Sequence, residues 1–127
     1  MAGDKIEKLM DVLRSLKENT AFLESAAIVN KEEGLIIAST CKSEIEEQNI
    51  AAITATICSN SQEMISHLKK GNLKQLLLDT EEGYVLLCVI NEATLLTIFT
   101  EKESSLGLIF LNSKKSLKKI AEILQNY

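Results

Sequence analysis

The chain has 127 residues, 46% hydrophobic and 25% charged, the composition of one globular domain with a proper core. A net charge of −4 leaves no basic surface for duplex nucleic acid, and the only basic cluster is Lys114, Lys115, Lys118 and Lys119. Aromatic residues are 4% of the chain and tryptophan is absent, so the core has to be built from Ile, Leu, Val and Ala.

In chain order, Asp4 can cap a helix whose apolar face is Ile6, Leu9, Leu13 and Leu16 and which should end near Asn19. Residues 23–30 read as a strand, Lys31-Glu32-Glu33-Gly34 as a turn with Gly where positive φ is needed, and residues 35–39 as the returning strand. After a polar loop, Ser43 can cap a long helix with acidic residues in its first turn and Lys69, Lys70 and Gly71 at its end. That helix would have about 26 residues and measure roughly 39 Å. Residues 72–79 read as a third strand, and Thr80-Glu81-Glu82-Gly83 closes a second hairpin. The run Tyr84-Val85-Leu86-Leu87-Cys88-Val89-Ile90 is continuously apolar, so both of its faces should be covered. Asn91-Glu92 turns into a fifth strand over residues 93–100, and Ser104 or Ser105 caps a final helix carrying Leu106, Ile109, Phe110, Leu117, Ile120 and Leu124. The basic cluster falls in the last turns of that helix, where cations suit the dipole.

The order helix, two strands, long helix, three strands, helix implies an α/β fold. It reads as a three-layer α/β/α sandwich around a mostly antiparallel five-stranded sheet, with no linker dividing residues 1–127. The long helix carries two stripes. Ile50, Ile53, Ile57, Met64 and Leu68 form a bulky one, and Ala51, Ala52, Ala55, Cys58, Ser59 and Ser61 a small one. The bulky stripe could pack on the chain's own sheet and leave the small stripe for a second copy. Alternatively, the small residues lie under the sheet. The third strand, with Leu73, Leu76, Leu77 and Leu78, is apolar on both faces and would be a sticky sheet edge unless paired with a symmetry mate.

Catalytic motifs are missing. There is no phosphate-binding Gly-rich loop, no H-E-x-x-H and no G-x-S-x-G. A single histidine, His67, excludes a multi-histidine metal site, and Cys58 lies nine positions from it, about 13 Å along a helix. The acidic pairs fall at helix starts and turn tips, where solvated charge is the plain reading. Cys41, Cys58 and Cys88 are widely spaced and odd in number, which fits free thiols in a reducing compartment. With no signal peptide and no apolar run long enough to span a bilayer, a cytoplasmic location is expected. No cofactor or metal is called for.

Three segments then carry a resemblance. Ala26-Ala27-Ile28-Val29-Asn30 through Gly34-Leu35-Ile36-Ile37-Ala38-Ser39, Ile50-Ala51-Ala52-Ile53-Thr54-Ala55, and Glu82-Gly83-Tyr84-Val85-Leu86-Leu87 with Leu106-Gly107-Leu108-Ile109 stand in an order and spacing similar to the roadblock (dynein light chain) family. That family includes MglB-like regulators of small GTPases. The resemblance implies a roadblock/profilin-like sandwich that dimerises through the long helix and third strand, joining two sheets edge to edge. It also implies a non-catalytic regulator or scaffold that binds a small Ras-like GTPase, with possible stimulation of hydrolysis and no trans-arginine, since Arg14 is the sole arginine. The alternative is a structural adaptor, like the dynein light chains, that holds peptide helices of a larger complex.

On this basis the expected dimer contacts are Ala51, Ala55, Cys58, Ser59, Gln62, Leu73, Gln75, Leu76, Leu77 and Leu78. The expected partner contacts are Glu46, Glu47, Asn49, Ile50, Ile53, Thr54 and Ile57. The second subunit could be another copy or a different roadblock protein.

Overall fold

A computed structural model describes residues 2–42 and 44–125 and follows the element order expected from the sequence. Helix α1 (Ala2–Asn19) precedes the hairpin of β1 (Leu23–Asn30) and β2 (Leu35–Ser39). Helix α2 (Glu44–His67) is followed by β3 (Gln75–Asp79), β4 (Gly83–Val89), β5 (Thr94–Glu101) and helix α3 (Leu106–Gln125). Every strand pair is antiparallel, and the sheet order β2-β1-β5-β4-β3 puts the fifth strand at the centre. The two edges are therefore β2 and β3.

Helices α1 and α3 cover one face of this sheet and α2 lies on the other, which gives the three layers. On the first face Leu9, Leu13 and Leu16 of α1 and Ile109 and Ile120 of α3 meet Ala26, Ile28, Leu86, Cys88, Leu96 and Ile98. On the second, Ala27, Val29 and Leu95 meet Ala51 and Cys58 of α2. Neighbouring residues in β1 and β5 are thus buried to opposite sides, which is why those strands are apolar without alternation. Each fully buried Leu or Ile contributes on the order of 1.5–3 kcal/mol.

Local chemistry explains the boundaries. Gly34 sits at φ +66 in the first hairpin turn, and Asn30 Oδ1 accepts the N–H groups of Glu32 and Glu33, both at 3.0 Å. Ser105 is the N-cap of α3, its Oγ accepting the Leu108 N–H at 3.3 Å, whereas Ser104 is buried and donates to the Ala21 carbonyl at 2.9 Å.

Three boundaries differ from expectation. Helix α1 starts at Ala2, so Asp4 lies inside the first turn, where its charge meets the helix dipole, instead of capping it. Helix α2 ends before Gly71. Lys69 takes the left-handed conformation (φ +56), with Lys69 N–H on Ser66 O and Lys70 N–H on Ile65 O, both 3.1 Å, a Schellman closure. Strand β3 begins at Gln75 because the preceding stretch is held by a side chain of α2, described below. The proposed Ser43 cap lies outside the described residues.

Candidate interaction surface

Helix α2 has 24 residues and lies over β1 and β2, on the half of the sheet away from β3. Its inward face takes Ala51, Ala55 and Cys58 from the small stripe, whereas Ala52 and Ser59 are exposed. Ala51 is fully buried, Cys58 is 2% exposed, and Thr54 and Ala55 are buried beside them. The bulky stripe faces out: Ile53 is 59% exposed, Met64 and Leu68 are similarly open, and Ile50 and Ile57 are half-buried. Ala51, Ala55 and Cys58, expected at contacts with a second copy, are buried within the single chain, Ala51 and Cys58 against its own sheet. Thr54 is buried beside them and also lines the cleft described next, together with Ile50, Ile53 and Ile57. The helix comes close to the hairpin on this flank too, where a Cβ added at Gly34 in the β1–β2 turn would sit 3.6 Å from the Cα of the exposed Ala52. Small inward side chains let a helix and a sheet pack closely.

Because α2 lies mainly over β1 and β2, and packs on Leu95 of β5, the sheet is less completely covered on that face toward β4, β3 and the Phe99 end of β5. An apolar cleft of about 280 Å³ runs there, with Ile50, Ile53 and Ile57 on the helix side and Leu78, Val85, Leu87 and Phe99 on the sheet side. Asn49 and Glu46 stand along the helix wall. Glu47 is half-buried, and Ser59 is exposed on the opposite flank, in a shallow groove facing the β1–β2 turn.

Strand β3 is hydrogen-bonded on one side only, with Gln75 opposite Cys88, Leu76 opposite Leu87 and Leu78 opposite Val85. Its leucines divide by face. Leu77 packs on the α1–α3 core, whereas Leu78 lines the cleft, and by strand alternation Leu76 lies on Leu78's side. Leu73 lies before the strand and packs against the α2-side core. Gln62 ties this segment down: its Oε1 accepts the Leu73 N–H at 2.8 Å, and its Nε2 donates to Gly71 O at 3.2 Å. Gln62 therefore positions the start of β3 from within the chain, a role the sequence pattern did not reveal.

The Roadblock/LC7 domain model matches residues 10–100. The chain belongs to this family. Among relatives, it is 25% identical over 101 residues to the uncharacterized protein MJ1340 of Methanocaldococcus jannaschii, a match covering 80% of this chain and 87% of that one. Myxococcus xanthus MglB has the same fold, with a TM-score of 0.88 at 18% identity over 95% of this chain and 90% of its own. An MglB structure with a tetrameric arrangement superposes with a TM-score of 0.87 at 17% identity, covering 96% and 91%.

Elsewhere in this roadblock chain the reactive side chains are quiet. Burial pushes the Cys88 thiol up to about 12, partly opposed by a hydrogen bond from Ser113. Burial also raises Cys58, opposed by the charge of Lys31. Both thiols are protonated and poor nucleophiles near neutrality. His67 is exposed at the end of α2. Among the described residues no cluster of His, Cys, Asp or Glu could hold a metal ion, and no helix is long and apolar enough to cross a membrane. Arg14 is exposed and pairs with Asp11 at 3.2 Å and Glu7 at 4.0 Å.

The sequence reading missed Val85, Leu87 and Phe99, the sheet wall of the cleft. Their strands are apolar almost throughout, so only the pairing register shows which residues point toward α2. It also missed the clasp at the β3–β4 tip. There Lys102 Nζ donates to Asp79 Oδ1 and to Thr80 O (3.0 Å) and stands 4.3 Å from the Tyr84 ring centroid.

Proposed function

We propose that this roadblock chain is a single domain that works as a non-catalytic regulator or scaffold, pairing with a second copy or another roadblock protein and binding a small Ras-like GTPase. The observation that carries the reading is the apolar cleft between α2 and the less covered part of the sheet, bordered by the one-sided edge of β3. An isoleucine more than half exposed beside such a cleft is a surface that a partner covers. Pairing of β3 with its symmetry mate would extend the sheet and bring two α2 helices together over the two clefts. Ile50, Ile53, Ile57 and Leu78 then serve subunit contact, and Glu46, Glu47 and Asn49 at the start of α2 are left to meet the GTPase. Stimulation of hydrolysis, where it occurs, acts by rearranging the GTPase's own switch segments, because Arg14 is engaged with two carboxylates. The three free cysteines fit a cytoplasmic setting.

The test is light scattering on the purified chain, then pulldown with Ras-like GTPases loaded with GTP analogue or GDP, and a hydrolysis assay. A dimer that binds the GTP form preferentially supports the proposal. Binding blind to nucleotide favours the adaptor role, and a monomer that retains no GTPase sinks the regulator reading.

A further inference from the structure

On the face of the sheet opposite α2, a groove of about 400 Å³ runs between α1 and α3. Its walls include Val12 and Leu16 from α1 and Leu108 and Leu111 from α3, the last two 45% and 51% exposed. Asn112 fixes one end, its Nδ2 donating to Asn19 O at 3.0 Å and to Thr20 Oγ1 at 2.9 Å. Lys115 and Lys119 continue the wall along α3, so leucines and lysines share one helical stripe over roughly 16 Å.

The lysines lack the explanation their sequence position suggests. Helix α3 continues to Gln125 with no base in its last turn, so Lys114, Lys115, Lys118 and Lys119 stand in mid-helix, beyond the reach of the terminal dipole. All four are exposed, and the ion pairs of Arg14 and Lys102 do not involve them. Spacings of three and four bring Lys115 beside both Lys118 and Lys119, and Lys114 beside Lys118, which repels, against one exposed acid, Glu122, at the same spacings from Lys119 and Lys118. A chain of net charge −4 thus concentrates positive charge next to its two exposed α3 leucines.

We infer that this groove docks an acidic amphipathic helix of another protein. Leucine-type side chains on the incoming helix cover Leu108 and Leu111, and its carboxylates pair with Lys115, Lys118 and Lys119. A groove between two packed helices accepts the ridge of a third. A lipid surface fits less well, since the leucines line a concavity bordered by Asn19 and Asn112 and do not project as an apolar face. The groove and the α2 cleft lie on opposite faces of the sheet, so both can be occupied at once.

The test uses the full chain and a fluorescein-labelled helical peptide of about 20 residues, with a leucine stripe at helical spacing flanked by glutamates. The control peptide carries lysine in place of each glutamate. Fluorescence anisotropy should show saturable, salt-sensitive binding of the acidic peptide and none of the basic one. Lys115→Glu with Lys119→Glu should weaken the acidic peptide by about tenfold or more and admit the basic one. If the charge reversal disturbs folding by circular dichroism, Lys115→Gln with Lys119→Gln gives the same loss without the gain. Equal binding of both peptides, no binding of the acidic peptide, or binding unchanged by the lysine variants overturns the inference. So does binding to vesicles of about 30% phosphatidylserine in the absence of peptide binding.

Discussion

At the scale of single residues, two glycines that look alike in the sequence have different reasons to be there. Both follow a Glu-Glu pair, and both read as turn residues. Gly34 is one, at φ +66. Gly83 instead lies in β4, pressed against the neighbouring strand, where an added Cβ would meet the Thr100 carbonyl oxygen at 2.1 Å and Thr100 C at 3.3 Å. Gly83→Ala must push the start of β4 off the end of β5, where Gly83 pairs with Glu101, and we expect a loss of about 1–3 kcal/mol in chemical denaturation. An unchanged midpoint would mean the strands separate freely there. Cys88 supports a second expectation. Its thiol is held up to about 12 in the fold against an ordinary 9.0, so between those values the unfolded chain gives up a proton that the folded chain keeps. The stability is therefore fully present below pH 9.0 and falls as pH rises toward about 12. Denaturation at about pH 8 and about pH 10.5 should show a shallower decline in Cys88→Ala than in the parent, whatever constant offset the lost side chain adds.

At the scale of elements, most boundaries were legible because the turn chemistry is local. The first hairpin matches from Leu23 to Ser39, since Asn30, Glu32 and Gly34 specify its turn without help from the rest of the chain. The orientation of α2 was not legible. Ile50, Ile53 and Ile57 follow helical spacing as well as Ala51, Ala55 and Cys58 do, and hydrophobicity alone would put the isoleucines inside. Packing of Ala51 and Cys58 against Ala27, Val29 and Leu95 decides the matter, and that packing is a tertiary fact. For the same reason Ala55→Leu now belongs to folding rather than to subunit contact. It should cost roughly 1–3 kcal/mol of stability by overfilling the space under α2, measured by thermal unfolding. Strand β3 shows a parallel division. Leu77→Lys puts a charge into the α1–α3 core and should unfold the chain, whereas Leu76→Lys leaves that core untouched and should act on association at the edge. If the two variants behaved alike in circular dichroism, the leucines would not be divided by face.

For the whole molecule, the layered architecture followed from the order of elements, but the incomplete cover of the sheet did not, and it is that incomplete cover that shapes the candidate site. A helix placed centrally over five strands would have closed this face. Placed mainly over β1 and β2, α2 leaves Leu78, Val85 and Phe99 only half-buried and Ile53 more than half exposed. A second subunit that fills this space removes that apolar surface from water, at about 25 cal/mol per Å². Ile53→Glu is the most direct test at this scale. Its side chain is 59% exposed in the single chain, so a carboxylate there remains hydrated and the fold should survive with little change in melting temperature. In an assembly that covers the cleft, the same carboxylate would be buried without a partner, which costs several kcal/mol. We therefore expect light scattering to find the variant as a monomer at concentrations where the parent is a dimer. A variant that stays dimeric would put the subunit contact on some other surface, with the cleft left open for the GTPase itself.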